Sequence, residues 1–133
     1  MENEAIFSND FCKIFYESKN RYLHIKWFGF PRSIDFREAC NMAIDLMVKY
    51  KTWKFLTDNR DAKVFSVSDQ KWLNSEWLPN AIKAGYTCSA TLTNDDIFVK
   101  TAIKNIANKR DQNIITTKLF TNEDEAIAWL KSV

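Results

Sequence analysis

Residues 53–79, WKFLTDNRDAKVFSVSDQKWLNSEWLP, constrain the fold more than any other stretch, because the hydrophobic period changes within them. Trp53-Lys54-Phe55-Leu56-Thr57 reads as a short apolar strand. Asp58-Asn59-Arg60-Asp61 reads as a polar loop that ends it, and a helix carrying Trp72 and Trp77 follows. A strand that feeds a helix through a polar loop is the unit of an α/β sheet. In such sheets ligands and partners meet the chain just past the C-terminal ends of the strands.

The remaining segments repeat that unit after an N-terminal hairpin. Residues 1–9 are expected to be a loose lead-in. Residues 11–17 alternate, with Cys12, Ile14 and Tyr16 on one face, and residues 22–28 alternate with Leu23, Ile25 and Trp27. The short polar link Ser18-Lys19-Asn20-Arg21 makes the two a β-hairpin. Ser33 is placed to cap a helix whose apolar stripe, from Phe36 to Val48, runs to about Lys51. Ser66 or Ser68 can cap the second helix, and Asp69, three residues after Ser66, imitates a capping box. Pro79 predicts a kink there, or a break with Pro79 opening a second short helix. Residues 86–92 set Tyr86, Cys88, Ala90 and Leu92 against Thr87, Ser89 and Thr91 as a strand. A third helix starts at residues 94–96, a last strand covers 114–120, and Thr121 or Asn122 caps a final helix. The expectation is one domain over residues 1–133 with the order β-β-α-β-α-β-α-β-α. That order is an α/β fold with a single five-stranded mixed sheet, antiparallel at the hairpin and parallel beyond it.

Composition narrows the function. A chain of 133 residues buries enough surface to fold without a metal or disulfide. Its net charge of +2 is too mild for a nucleic-acid-binding surface. No apolar run approaches the roughly 20 residues of a membrane span, and the acidic start MENEAIFSND is unlike a signal peptide, so the expected location is cytoplasmic. Cys12, Cys40 and Cys88 are odd in number and widely spaced, which fits buried thiols rather than a disulfide framework or a zinc site. Two glycines cannot build a glycine-rich phosphate loop. The single histidine, His24, is expected mid-strand and outward, away from the polar strand ends, so neither a catalytic group nor a metal set is assigned. No cofactor is expected.

Three polar clusters, at residues 58–61, 93–96 and 121–124, fall at strand ends that a parallel sheet would gather on one rim. The second and third are the cap residues of helices. In the first, Asp58 and Arg60, with Asp61, either pin the loop to itself or meet a ligand. Trp72 and Trp77 are five residues apart, about 140° around a helix, so they cannot both point straight into one core: either one is buried and the other partly exposed, or both pack against the sheet's flank or a neighbouring loop. Lys100, Lys104, Lys109 and Arg110 read as a solvated basic face.

The element order, together with Lys54-Phe55-Leu56-Thr57-Asp58-Asn59-Arg60, the run from Trp72 to Pro79, and Phe120 to Leu130, resembles the STAS superfamily, whose type members are anti-sigma-factor antagonists with the SpoIIAA-like fold. The sequence looks more specifically like small bacterial STAS/SEC14-type proteins of unassigned function, and the broad fold has lipid-binding relatives. The resemblance implies a non-catalytic protein-interaction or regulatory domain, not an enzyme, with an unknown protein partner; separately, the unpaired hairpin edge and the aromatic residues invite pairing into a homodimer. The alternative the resemblance implies is a carrier of a small apolar molecule or lipid. Antagonists carry Asp-Ser-Ser-Gly, with a phosphorylated serine, at the start of the second helix. This chain has Phe65-Ser66-Val67-Ser68-Asp69 there: Ser66 and Ser68 are similar in kind, but the motif itself is absent. The candidate partner or ligand surface is therefore Asp58, Arg60, Asp61, Ser66, Ser68, Trp72 and Trp77.

Overall fold

The computed structural model describes residues 4–133. Strands β1 (Phe7–Ser8), β2 (Cys12–Glu17), β3 (Tyr22–Gly29), β4 (Lys54–Ala62), β5 (Cys88–Leu92) and β6 (Thr116–Phe120) lie side by side in sequence order. The helices are α1 (Ser33–Tyr50), α2 (Val67–Trp72), α3 (Leu78–Lys83), α4 (Ile97–Asn108) and α5 (Glu123–Ser132), with a π-helical turn at Leu73–Trp77 joining α2 to α3. β1–β2 and β2–β3 are antiparallel, and β3 to β6 are parallel.

This order decides which face each helix covers. Parallel strands added one after another in one direction, each through a right-handed crossover, put every crossover on the same face. α1, the α2–π–α3 segment and α4 are those crossovers. α5 follows the last strand, and its Ala126 and Leu130 pack on the opposite face with Tyr22, Leu56, Cys88, Ala90 and Leu92. The main core lies under the crossover helices, where Phe36 stacks between Trp27 and Phe65.

Three expectations are corrected. The sheet has six strands rather than five, because Phe7–Ser8, placed in the loose lead-in, pairs with Ile14 and Lys13 and covers part of the hairpin edge. Residues 1–3 of that lead-in lie outside the described residues. The polar stretch Asp58-Asn59-Arg60-Asp61 is not a loop but the second half of β4, where Asp58 pairs with Lys26 and Asp61 with Phe28. Ser33 does not cap α1, since Arg32 precedes the helix without a side-chain cap and the Ser33 hydroxyl donates to Asp69 Oδ2 at 2.8 Å.

Other local readings hold. Ser66 Oγ accepts from Asp69 N at 3.1 Å and Asn122 Oδ1 from Glu125 N at 3.0 Å. Pro79 has no N–H to give the preceding turn and its ring crowds that turn's carbonyl. The helix widens by one residue before it, so that Leu78 N–H donates to Leu73 O, and Pro79 stands at the start of α3, where its missing donor costs nothing.

Candidate functional site

Adjacent residues of a strand point to opposite faces, so the predicted cluster at residues 58–61 is divided between two environments. Asp58 faces α5. It is 2% exposed and accepts from Arg60 Nε (2.9 Å), Arg60 Nη2 (2.8 Å), Arg60 N (3.1 Å) and His24 Nε2 (3.2 Å). Burial pushes its carboxyl up, but the hydrogen bonds from Arg60 and His24 and the Arg60 charge outweigh burial and hold it well below the usual carboxylate range. Arg60 Nη2 also reaches Glu123 Oε1 at 2.9 Å, and its hydrogen bond to Asp58 raises its own affinity for its proton. The expectation that His24 points away from the polar rim is corrected: the β3–β4 pairing sets it against Asp58. His24, Asp58 and Glu123 converge closely enough to hold a cation, yet the Arg60 guanidinium already bridges the two carboxylates. The cluster is a saturated ion network that docks the start of α5. At the other end of that helix the buried Lys54 Nζ donates to Leu130 O at 2.6 Å.

Asn59 faces the crossover helices. There a cavity of about 80 Å³ lies between the sheet and α1, the π turn and α4. Its floor is the polar row Thr57, Asn59, Ser89 and Thr91, and its roof is Phe36, Ala39, Cys40, Leu73, Trp77, Ile103 and Ile106. Thr57 Oγ1 and Ser89 Oγ are 3.1 Å apart, and Ser89 Oγ and Thr91 Oγ1 3.2 Å, so the hydroxyls satisfy one another. Asn59 is different. It is 3% exposed, and its carboxamide makes no hydrogen bond to any described residue. Among the described residues no fully enclosed side-chain nitrogen or oxygen lacks a partner, so the amide atoms of Asn59 border open space. A carboxamide carries two donors and an acceptor, and here they are left for whatever fills that space.

Trp77 and Trp72 divide in the first of the two ways their spacing allows. Trp77 is 4% exposed, donates through Nε1 to Cys40 O at 2.6 Å and lines the cavity, while Trp72 is half-buried beneath the Arg37 guanidinium. Ser66 is occupied as the cap of α2. Ser68 is exposed and accepts from Arg37 Nη2 at 3.5 Å, and Asp61 is exposed near the C-terminal end of β4. Asp58 and Arg60 therefore stand on the opposite side of the sheet from both tryptophans. The three polar clusters do meet, but mainly to bind one another: Asn94 Nδ2 donates to the carbonyls of Asn59, Arg60 and Ala62.

Sequence reasoning missed Asn59, Thr57, Ser89, Thr91 and Arg110. Arg110 is not part of a solvated face but half-buried at the cavity, where Nε donates to Asn74 Oδ1 (3.0 Å) and Nη1 to Thr117 Oγ1 (3.2 Å) and Tyr86 Oη (3.4 Å). Cys40, the one cysteine among the described residues lining the cavity, is pushed well up by burial and stays protonated. No helix of the described residues is long and apolar enough to cross a membrane.

No family model matches this chain, and no curated protein does. Among solved structures it is similar to an uncharacterised protein of the DUF3478 family from Shewanella loihica PV-4, itself described as SpoIIAA-like in fold. The two share 17% identity with a TM-score of 0.64, over 94% of this chain and 98% of the other. At that identity the likeness carries the architecture alone, and the chain has a SpoIIAA-like α/β fold.

Proposed function

We propose that this protein binds a small, largely apolar molecule between its sheet and its crossover helices, and that it holds the molecule without transforming it. The observation that carries the reading is the Asn59 carboxamide, buried at a cavity and unbonded. Its amide atoms border open space, so a ligand can take up their hydrogen-bonding capacity, and each such bond is worth about 0.5–1.5 kcal/mol. The π-helical turn supports the same reading, because such turns recur at functional sites and this one sets both Leu73 and Trp77 on the cavity. At about 80 Å³ the space is smaller than the ~150 Å³ cavity that takes up benzene in one engineered protein, which favours a small molecule over a lipid chain. Among the described residues the lining offers no carboxylate, imidazole or thiolate to act as base or nucleophile, which is why we assign binding rather than catalysis.

Native mass spectrometry of the purified protein tests this, alongside Ala43→Leu, which fills the cavity. A mass excess that is lost on denaturation and missing from Ala43→Leu is expected. A bare wild-type mass, together with no rise in melting temperature at saturating n-butanol, overturns the reading.

A partner-binding role has its own support. Phe30, Ile34, Val67, Ile97 and Phe98 are exposed apolar residues that follow β3, β4 and β5, so the parallel topology collects them on the C-terminal side of the sheet. Such a rim suits an apolar protein face. An Ile34→Asp, Phe98→Asp variant that recovers the same partners as the wild type in a pull-down removes this reading.

A further inference from the structure

The charge at the cavity points to the class of its ligand. Of the 19 described residues that line it, Arg110 is the only charged one. A guanidinium keeps its charge at every physiological pH. Among the described residues no carboxylate lies within 4.0 Å of it, whereas Arg32, Arg37 and Arg60 each hold an aspartate. Its three acceptors, Asn74, Tyr86 and Thr117, are neutral, and Nη2 donates to no described residue.

Arg110 follows the C-terminus of α4, where a cation suits the helix dipole. The dipole accounts for a basic residue there, but not for the direction of the side chain. The guanidinium donates to no carbonyl of α4. It donates instead to two side chains that line the cavity and to Asn74 of the π turn, which in turn donates to Ile106 O at 3.0 Å. Three fixed acceptors hold the planar fork in one orientation with a nitrogen to spare, and a preoriented fork of this kind recognises a carboxylate.

We propose that the ligand is a small organic acid bound as its carboxylate, with an oxygen accepting from Arg110 Nη2 and its hydrocarbon body against Phe55 and Trp77. The proposal rests on the cavity being a binding site. The strand register sets Thr117 level with Ser89 and Phe55, while Asn59 lies farther along β4, so the acid group and the Asn59 carboxamide address different ends of the ligand.

The test is an NMR titration of the protein with butanoate, butanamide and butylamine, which differ chiefly in charge. Butanoate is expected to bind at least tenfold tighter than butanamide, with butylamine weakest. Arg110→Gln should bring butanoate down to the butanamide level and leave butanamide unchanged within about twofold, and Arg110→Lys should restore part of the preference. The three-ligand comparison needs only the wild type, so it stands even where a variant folds poorly. Equal binding of butanoate and butanamide overturns the acid assignment while leaving the cavity as a binding site. Saturable binding of neither overturns the site and the acid assignment together.

Discussion

Asp58 and Asn59 are neighbours in the chain and both are almost fully buried, yet they occupy opposite kinds of environment. Asp58, on the α5 side, accepts four hydrogen bonds from two residues and belongs to a network that reaches Glu123. Asn59, on the crossover side, uses its carbonyl for Asn94 but leaves its side chain unbonded. A buried polar group that is saturated by its own protein holds the fold together. One that is left open holds a place for something else. The more eye-catching cluster, with its histidine, arginine and two carboxylates, is by this measure structural, and the quieter face carries the proposed site.

The largest effect on this contrast should come from Asp58→Ala. It leaves Arg60 and His24 without their shared acceptor inside the interface with α5. Removing one partner of a fully buried pair costs about 3–5 kcal/mol, and because the Arg60 side chain is 39% exposed we scale the loss to about 2 kcal/mol. Urea denaturation should show it, with ligand binding by the folded fraction intact. A change below about 0.5 kcal/mol would remove the structural role given to the cluster.

Acid should then separate wild type from Asp58→Asn. A carboxyl whose folded value lies below its unfolded value contributes stability above the unfolded pKa, near 4, and loses it as pH falls toward the folded value. Wild-type stability should therefore decline on going down through pH 4, and the decline should be shallower in Asp58→Asn. Parallel curves for the two proteins would contradict the depressed carboxyl.

The smallest effect on stability should come from the neighbouring residue. Asn59→Leu replaces an unbonded amide by an apolar group of similar size, so the unfolding free energy should move by less than about 1 kcal/mol in either direction. Ligand binding should nevertheless weaken. Thermal melts with and without the ligand measure both, and a strongly destabilised variant would mean that the amide has a structural partner.

Much of the fold was legible, because period and capping are local properties. The hairpin, the caps at Ser66 and Asn122 and the interruption at Pro79 follow from residues close in sequence. β1, only two residues long, gave no period to read. The polar half of β4 looked like a loop because the polarity of Asp58, Asn59, Arg60 and Asp61 hides a period of two, in which Asp58 and Arg60 share one face and bind each other. The site was less legible because it depends on both faces of the sheet being covered. Ser89 and Thr91 alternate with Cys88, Ala90 and Leu92 and read as the outer face of a half-buried strand. In the middle of a parallel sheet both faces are buried, and every residue of β5 is. Arg110 sat in a basic run, and only the packing of the π turn against α4 turns it to the cavity.

The most direct test of the comparison is to follow side-chain NMR signals while butanamide is titrated into the protein. Saturable shifts should fall on the Asn59 carboxamide and on the methyls of Ile25, Ile103 and Ile106, with His24 and Glu123 unmoved. Shifts that instead gather at His24, Arg60 and Glu123 would place binding on the α5 face and contradict the account.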